Sequence, residues 1–289
     1  MKDVNLSKRM ETVVSMISPQ SFAIAAAEEN RDSVQAVYDK QTSLTIADVG
    51  CDHAYVSIAL VNRNIADKVI AMDVRTGPLD IARRNVAESG LSNKIDIRLG
   101  DGLEKLVPGE ADAIIIAGMG GLLIKGILER GIHILKCKEK RPVLILQPQS
   151  DLKEVRMFLL AHAYDIVSEC MLLEDGKYYT VMKAKPCECD MESCISMTET
   201  CSGNGHIYTD EELVYGRYNL EHQNSVLQEY LLKEREVFLR IAAKVKESMA
   251  AMEAKGEQIP VSTRERSKSV TYELELNAKA LQYYSEVIM

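Results

Sequence analysis

The chain has 289 residues, 46% of them hydrophobic, enough for one sizeable α/β core and a smaller appendage. No run of 18 apolar residues occurs, which excludes a membrane-spanning helix, and the opening MKDVN lacks the apolar stretch of a signal peptide. The net charge of −8 excludes an RNA partner held by overall attraction; residues 186–289 carry 11 Lys/Arg against 18 Asp/Glu, so only local basic patches could meet a phosphate backbone. Seven cysteines, an odd number, fit a reducing compartment better than a disulfide framework, and the expected location is the cytoplasm.

In chain order, residues 46–49 (IADV) form an apolar run ending at Gly50, followed by Cys51-Asp52-His53-Ala54-Tyr55 and a helix-forming segment. A parallel strand that delivers a nucleotide-like cofactor to a turn reads this way. Gly50 can take a backbone angle that a Cβ forbids, so the turn can pass close beneath a ligand. Asp52 stands where a dinucleotide fingerprint has its second glycine. Its carboxylate would repel a pyrophosphate and welcome a sulfonium with an amino acid tail. The loop thus argues for S-adenosylmethionine over NAD.

Further strands follow at regular intervals. Residues 68–73 (KVIAMD) end in Asp73, 25 residues after Asp48, where an acid can accept hydrogen bonds from ribose hydroxyls. Residues 94–99 alternate as a third strand and lead into Gly100-Asp101-Gly102, an acid between glycines suited to an adenine amino group. Residues 112–117 (DAIIIA) make a fourth, doubly buried strand that opens into Gly118-Met119-Gly120-Gly121. Residues 142–146 (PVLIL) make a fifth, ending in Gln147-Pro148-Gln149, and 164–172 with 178–185 make a closing hairpin. Helical patterns at 79–89 and 122–135 separate strands. Strand–helix alternation predicts an open, mostly parallel sheet with ligands outside the carboxyl ends of its strands.

These residues, with Leu6-Ser7-Lys8-Arg9, ADVGCDHAY at 47–55, GDGLE at 100–104, AGMGG at 117–121, LILQP at 144–148 and DGKYY at 175–179, resemble the bacterial tRNA (adenine(22)-N1)-methyltransferases of the TrmK type. The resemblance covers about residues 5–17 and 44–185. It implies a Rossmann-like class I methyltransferase domain, S-adenosylmethionine as donor, tRNA as partner, and a C-terminal helical coiled-coil domain that helps hold the tRNA. Carried over by position, Asp48, Gly50, Asp52, His53, Asp73, Asp101 and Gly102 line the cofactor site, with Gly118 at the end of the fourth strand. Arg9, Tyr55, Met119 and Gly120 lie at the tRNA and target-base side, Tyr55 as a stacking platform. The family usually reads serine at Cys51, glutamate at Asp73 and asparagine at Gln149, and Gln149 receives no role. The connection at 18–43 is longer than the family leads one to expect.

The expected organisation is a methyltransferase domain over 1–185, a linker over 186–205 and a helical hairpin over 206–289. Cys187, Cys189, Cys194 and Cys201 in the linker lack paired C-x2-C spacing, so no metal site is expected. Leu220, Leu227, Leu231, Phe238, Ile241, Val245 and Met252 recur mostly at helical spacings. After a break at 256–260, Ser262-Thr263-Arg264-Glu265 reads as a capping box. Val270, Leu274, Asn277, Leu281, Tyr284 and Ile288 then step 4, 3, 4, 3, 4, predicting an antiparallel coiled-coil hairpin whose register Asn277 fixes. Its basic residues Arg264, Arg266 and Lys268 are candidate phosphate contacts. Lys8 with Arg9, Arg83 with Arg84, and the cations of 136–141 are others.

Adenine N1 already holds a lone pair at neutral pH, so its methylation needs placement and desolvation and no obligatory general base. No obligatory protein partner is evident. A small-molecule methyltransferase, a non-catalytic RNA-binding or scaffold protein, and an NAD oxidoreductase are the competing readings.

Overall fold

The computed structural model describes residues 4–17, 43–187 and 205–284. These divide into two compact units, one of Met1–Cys170 with Glu174–Ile207, the other of Met171–Leu173 with Tyr208–Met289. The expected 18–43 connection and Cys189, Cys194, Cys201 and Ile288 lie outside the described residues, apart from residue 43.

The first unit is built on a seven-stranded sheet. Its strands are β1 (Thr45–Val49), β2 (Lys68–Asp73), β3 (Ile95–Leu99), β4 (Ala113–Met119), β5 (Val143–Pro148), β6 (Tyr164–Glu174) and β7 (Lys177–Pro186), in the order β3-β2-β1-β4-β5-β7-β6. The first five run parallel, and β7 pairs antiparallel with β5 through Leu144↔Ala184, Ile145↔Lys183 and Leu146↔Met182. Asp175 and Gly176, both at positive φ, make the tight turn between β6 and β7. The Rossmann-like expectation and its terminal hairpin are met.

The helices of this unit are α1 (Lys8–Ser15), α2 (Tyr55–Asn62), α3 (Thr76–Glu88), α4 (Gly121–Arg130), α5 (Ile132–Leu135) and α6 (Leu152–Ala161). Right-handed crossovers put the helix between β1 and β2 on the opposite face from that between β4 and β5, because the strand order advances in opposite directions. Accordingly α1, α2 and α3 pack together, and α4 packs on α6. The single helix expected over 122–135 is two, because Gly131 interrupts it. Helix α1 was not foreseen; Ser7 caps it, accepting from the Met10 N–H at 3.4 Å.

The core is the apolar runs read from the sequence. Ile46, Ala47, Ile114, Ile115, Ile116, Leu144, Ile145 and Leu146 are all at most 1% exposed, as parallel strands covered on both faces require. A charge pair is sealed between α6 and β6: Arg156 Nε donates to Glu169 Oε1 at 2.7 Å, with both side chains fully buried.

The second unit contains a π-helical turn (Glu212–Gly216), α7 (Arg217–Glu221), α8 (Ser225–Ala254) and α9 (Val261–Gln282). Asn277 Nδ2 donates to Leu231 O at 2.9 Å and Gln223 Nε2 to Tyr283 O at 2.8 Å, so α9 runs antiparallel to α8. Of the expected seam, Leu220, Leu227, Leu231, Val270 and Asn277 are buried, but Leu274, Leu281 and Tyr284 are only half-buried, and Leu276 and Ala280, outside the strict 4–3 stepping, are buried in their stead. Towards the turn, Phe238, Ile241, Val245 and Met252 are only half-buried. The capping box does not form: α9 starts earlier, with Pro260 as N-cap, and Ser262 lies inside the first turn. The fixed φ of proline suits a helix start, and it pre-empts the serine. Asn277 is buried as expected and also donates to Glu234 Oε2 at 3.2 Å, which in turn accepts from the Tyr215 hydroxyl at 2.7 Å.

Candidate functional site

The sheet order reverses between β1 and β4, and the carboxyl ends of those two strands flank a cavity. Its volume is about 690 Å³, within the range of small-molecule sites. The turns after β1, β2, β3 and β4 line it, together with Asn5, Leu6, Ser7, Arg9 and Met10 from the N-terminal segment.

The turn after β1 is unusual in its backbone. Gly50, Asp52 and Ala54 have φ of 74°, 49° and 62°, three left-handed residues in five. A Cβ on Gly50 would collide with Cε of Met119, so the glycine lets the β4 turn approach. The Gly50 and Cys51 N–H groups both donate to Met72 O, at 2.8 and 2.9 Å, which draws the turn towards β2.

Carboxylates surround this turn. Asp48 is buried, and its Oδ2 accepts from Ser57 Oγ at 2.6 Å. Burial pushes its pKa up to about 6, the Ser57 hydrogen bonds oppose the shift, and the neighbouring Asp73 charge adds to it. Asp73 is also buried; Oδ2 accepts from the Asp52 N–H at 3.2 Å and Oδ1 from the Arg75 N–H at 2.9 Å. Arg75 Nε also donates to Oδ1 at 3.3 Å, so of the about four acceptor positions of a carboxylate Asp73 keeps about one for a ligand hydroxyl. Asp52 is half-exposed, 3.4 Å from Arg75 Nη2 and 3.7 Å from His53 Nδ1. Asp101 faces Arg130 Nη2 at 3.3 Å, an ion pair that an adenine amino group would have to share. Burial also pushes the Cys51 thiol pKa far up, reinforced by Asp48, Asp73 and Asp52, so the thiol stays protonated and unreactive.

On the other side of the cavity, β4 bulges between Ala117 and Met119, where its register to β5 shifts. Gly118, at φ 79°, is the bulged residue, and its N–H donates to Oε1 of the fully buried Gln147 at 3.0 Å. The same oxygen accepts from Arg9 Nη1 at 3.3 Å. Arg9 is tethered further: its backbone N–H donates to Glu174 Oε1 at 3.1 Å, and its guanidinium carbon lies 4.8 Å from the Tyr179 ring centre. Tyr55 stands at the rim, 48% exposed, edge-on to His53 with ring centres 6.0 Å apart.

The expected cofactor residues Asp48, Gly50, Asp52, His53, Asp73, Asp101, Gly102 and Gly118 therefore line one cavity, as do Arg9, Tyr55 and Met119. Gly120 does not line it; it is the N-cap of α4, and its carbonyl accepts from the Ile124 N–H at 3.0 Å. Gln149 serves through its backbone, donating to Met119 O at 2.8 Å, with its side chain exposed. Arg264, Arg266 and Lys268 belong to the second unit and are exposed, with no side-chain partner among the described residues. Of the other basic candidates, Arg141 is used internally, donating to the carbonyls of Leu135, His162 and Ala163. Gln147, Glu174, Tyr179 and Ser57 were not anticipated at the site. Gln147 carried a signal, a polar residue closing an apolar strand, and Tyr179 stands in the DGKYY string that carries the resemblance.

The family model for tRNA (adenine(22)-N(1))-methyltransferase matches residues 46–265. The chain belongs to this family. Among its relatives is the tRNA (adenine(22)-N(1))-methyltransferase of Bacillus subtilis, 39% identical over 185 residues, 64% of this chain and 67% of that one. The crystal structure of the B. subtilis m1A22 tRNA methyltransferase TrmK superposes with a TM-score of 0.73 at 29% identity, covering 96% of this chain and 99% of that one. A Streptococcus pneumoniae putative tRNA (m1A22) methyltransferase in complex with S-adenosyl-L-methionine gives a TM-score of 0.66 at 25% identity, covering 96% of this chain and all of the other. In this TrmK-family chain, the acid-rich turn after β1 fits a cationic cofactor and disfavours a pyrophosphate. No group of three or more metal-ligating side chains occurs among the described residues.

Proposed function

We propose that this protein transfers a methyl group from S-adenosylmethionine to N1 of adenine 22 in tRNA. One observation carries the reading: a 690 Å³ cavity at the switch point of the sheet is bounded on the β1–β2 side by Asp48, Asp52 and Asp73 and on the β4 side by Gly118 and Met119. The first group suits a sulfonium and its ribose; the second is open enough for a flat base.

When bound, the cofactor supplies an electrophilic methyl on a cationic sulfur, and the N1 lone pair takes that methyl while the C–S electron pair returns to sulfur. Asp73 is assigned to the ribose diol and Asp48, ionised above its raised pKa, to the positive end of the cofactor. Met119 packs against Gly50, between the donor turn and the acceptor side. Tyr55 at the rim gives a face on which a base drawn out of its stack can rest. No side chain needs to remove a proton, because adenine N1 carries none.

Arg264, Arg266 and Lys268, at the start of α9, are assigned to phosphates of the tRNA. No helix among the described residues is long and apolar enough to cross a membrane, and we place the enzyme in the cytoplasm with its substrate. Incubation with labelled S-adenosylmethionine and bulk bacterial tRNA, followed by nucleoside analysis, tests the reading. It predicts label in 1-methyladenosine; label in any other nucleoside, or none in tRNA, contradicts it.

A further inference from the structure

The bulge in β4 fixes more than the path of the chain. A peptide unit is planar, so the Ala117 carbonyl points opposite to the Gly118 N–H. That N–H is held on the β5 side by Gln147 Oε1 at 3.0 Å, which turns the Ala117 carbonyl to the β1 side. There the ladder has already stopped: β1 and β4 pair only as far as Val49↔Ile116. Gly50 and Cys51, the next donors of that chain, both give their N–H groups to Met72 O instead. The Ala117 carbonyl is thereby left without a ladder donor, and Ala117 lines the cavity beside Met119.

We infer that the Ala117 carbonyl accepts a hydrogen bond from the exocyclic amino group of the target adenine, and that Gln147 is the positioning residue that aims it. The inference rests on the proposed activity and deepens it. A fixed acceptor next to N1 admits a base bearing an amino group at C6. It rejects guanine and hypoxanthine, which carry an oxygen there, because two acceptors would face each other in a desolvated site. Arg9 supports the device from behind. Its Nη1 donates to the same Gln147 oxygen at 3.3 Å, while Gln147 Nε2 is anchored on Pro148 O at 3.2 Å. With its amide held at both ends and no exposed surface, Gln147 cannot swing away from Gly118.

The test is a cycle between base and protein. Wild-type protein and Q147M are assayed with tRNA carrying adenine or unsubstituted purine at the target position, and S-adenosylmethionine affinity is measured alongside. Purine is intrinsically the poorer nucleophile, so the informative quantity is the adenine-to-purine ratio of kcat/KM. The ratio is expected to shrink about fivefold in Q147M, the worth of one hydrogen bond, while cofactor affinity is kept. Q147E keeps the oxygen that receives the Gly118 N–H but loses the donor to Pro148 O, and is expected to keep more of the wild-type ratio than Q147M. If Q147M does not bind cofactor, Q147N, whose acceptor sits one methylene further back, replaces it with the same expectation. An unchanged ratio, with both bases slowed equally, overturns the inference and leaves Gln147 a structural residue. Failure of the wild-type protein to methylate the adenine tRNA at all would instead overturn the proposed function.

Discussion

Ser57 Oγ donates a 2.6 Å hydrogen bond to Asp48 Oδ2, and both side chains are buried at the end of β1. The bond opposes but does not cancel the desolvation of the carboxylate, whose pKa stands at about 6.

A pH dependence with a definite sign follows. The folded protein binds the Asp48 proton more tightly than the unfolded chain, so this group's contribution to stability declines as pH rises from about 4 to about 6. A shift of two units corresponds to a penalty on the order of 3 kcal/mol above that window. Asp48→Asn removes it, and the difference in unfolding midpoint between variant and wild type should widen from pH 4 to pH 7. Binding of a cationic cofactor runs the other way. Wild-type affinity for S-adenosylmethionine should rise between pH 5 and pH 7, and that of Asp48→Asn should stay flat across the window. Calorimetry over this range checks both, and parallel curves would remove Asp48 from the donor site.

Asp73 holds the turns after β1 and β2 together and is assigned to the ribose diol. Asp73→Asn keeps an acceptor oxygen but loses the charge, and cofactor affinity should fall by about 1.5–3 kcal/mol, the worth of a hydrogen bond to an ion. Equal affinities in calorimetry would reassign the ribose.

Arg9 is proposed for the acceptor side, and its guanidinium is held by Gln147, Glu174 and Tyr179. Arg9→Ala should leave cofactor affinity within about twofold and lower methyl transfer at least tenfold, the scale of losing one charged hydrogen bond. Single-turnover assays with saturating cofactor measure this directly. Collapse of cofactor binding would place Arg9 on the donor side.

In the second unit, Asn277 Oδ1 is buried without a hydrogen-bond partner, although its Nδ2 is used twice. Glu234 keeps its bonds from Tyr215 and Tyr230 when Asn277 is replaced. Asn277→Leu should therefore stabilise the helix pair by about 1 kcal/mol, since an unsatisfied polar atom is exchanged for apolar packing. A lowered denaturation midpoint would show that register, rather than burial, sets the stability of the pair.

Arg264 and Lys268 lie four residues apart near the start of α9, both exposed. Replacing both with alanine should reduce the slope of log affinity for tRNA against log salt by about one unit for each phosphate contact removed. An unchanged slope in binding titrations would free this surface from any role in phosphate binding.

The sequence by itself determined the sheet and the turn that follows its first strand. Ile46–Val49, KVIAMD at 68–73 and DAIIIA at 112–117 are buried parallel strands whose hydrophobic pattern leaves no alternative face, and their glycine and acid endings fall where strand ends must. Those signals are local, which is why Asp48, Gly50, Asp52 and Asp73 were legible. Only the tertiary structure showed what holds Arg9 in place. Arg9, Gln147, Glu174 and Tyr179 come from four elements up to 170 residues apart, and no spacing rule links them. Helix boundaries were decided the same way: Pro260 took the N-cap from Ser262, and Gly131 split the expected helix at 122–135. The helical seam was readable as a period, yet its burial fades towards the turn, because a periodic stripe states which residues face a partner and packing states how closely they meet it.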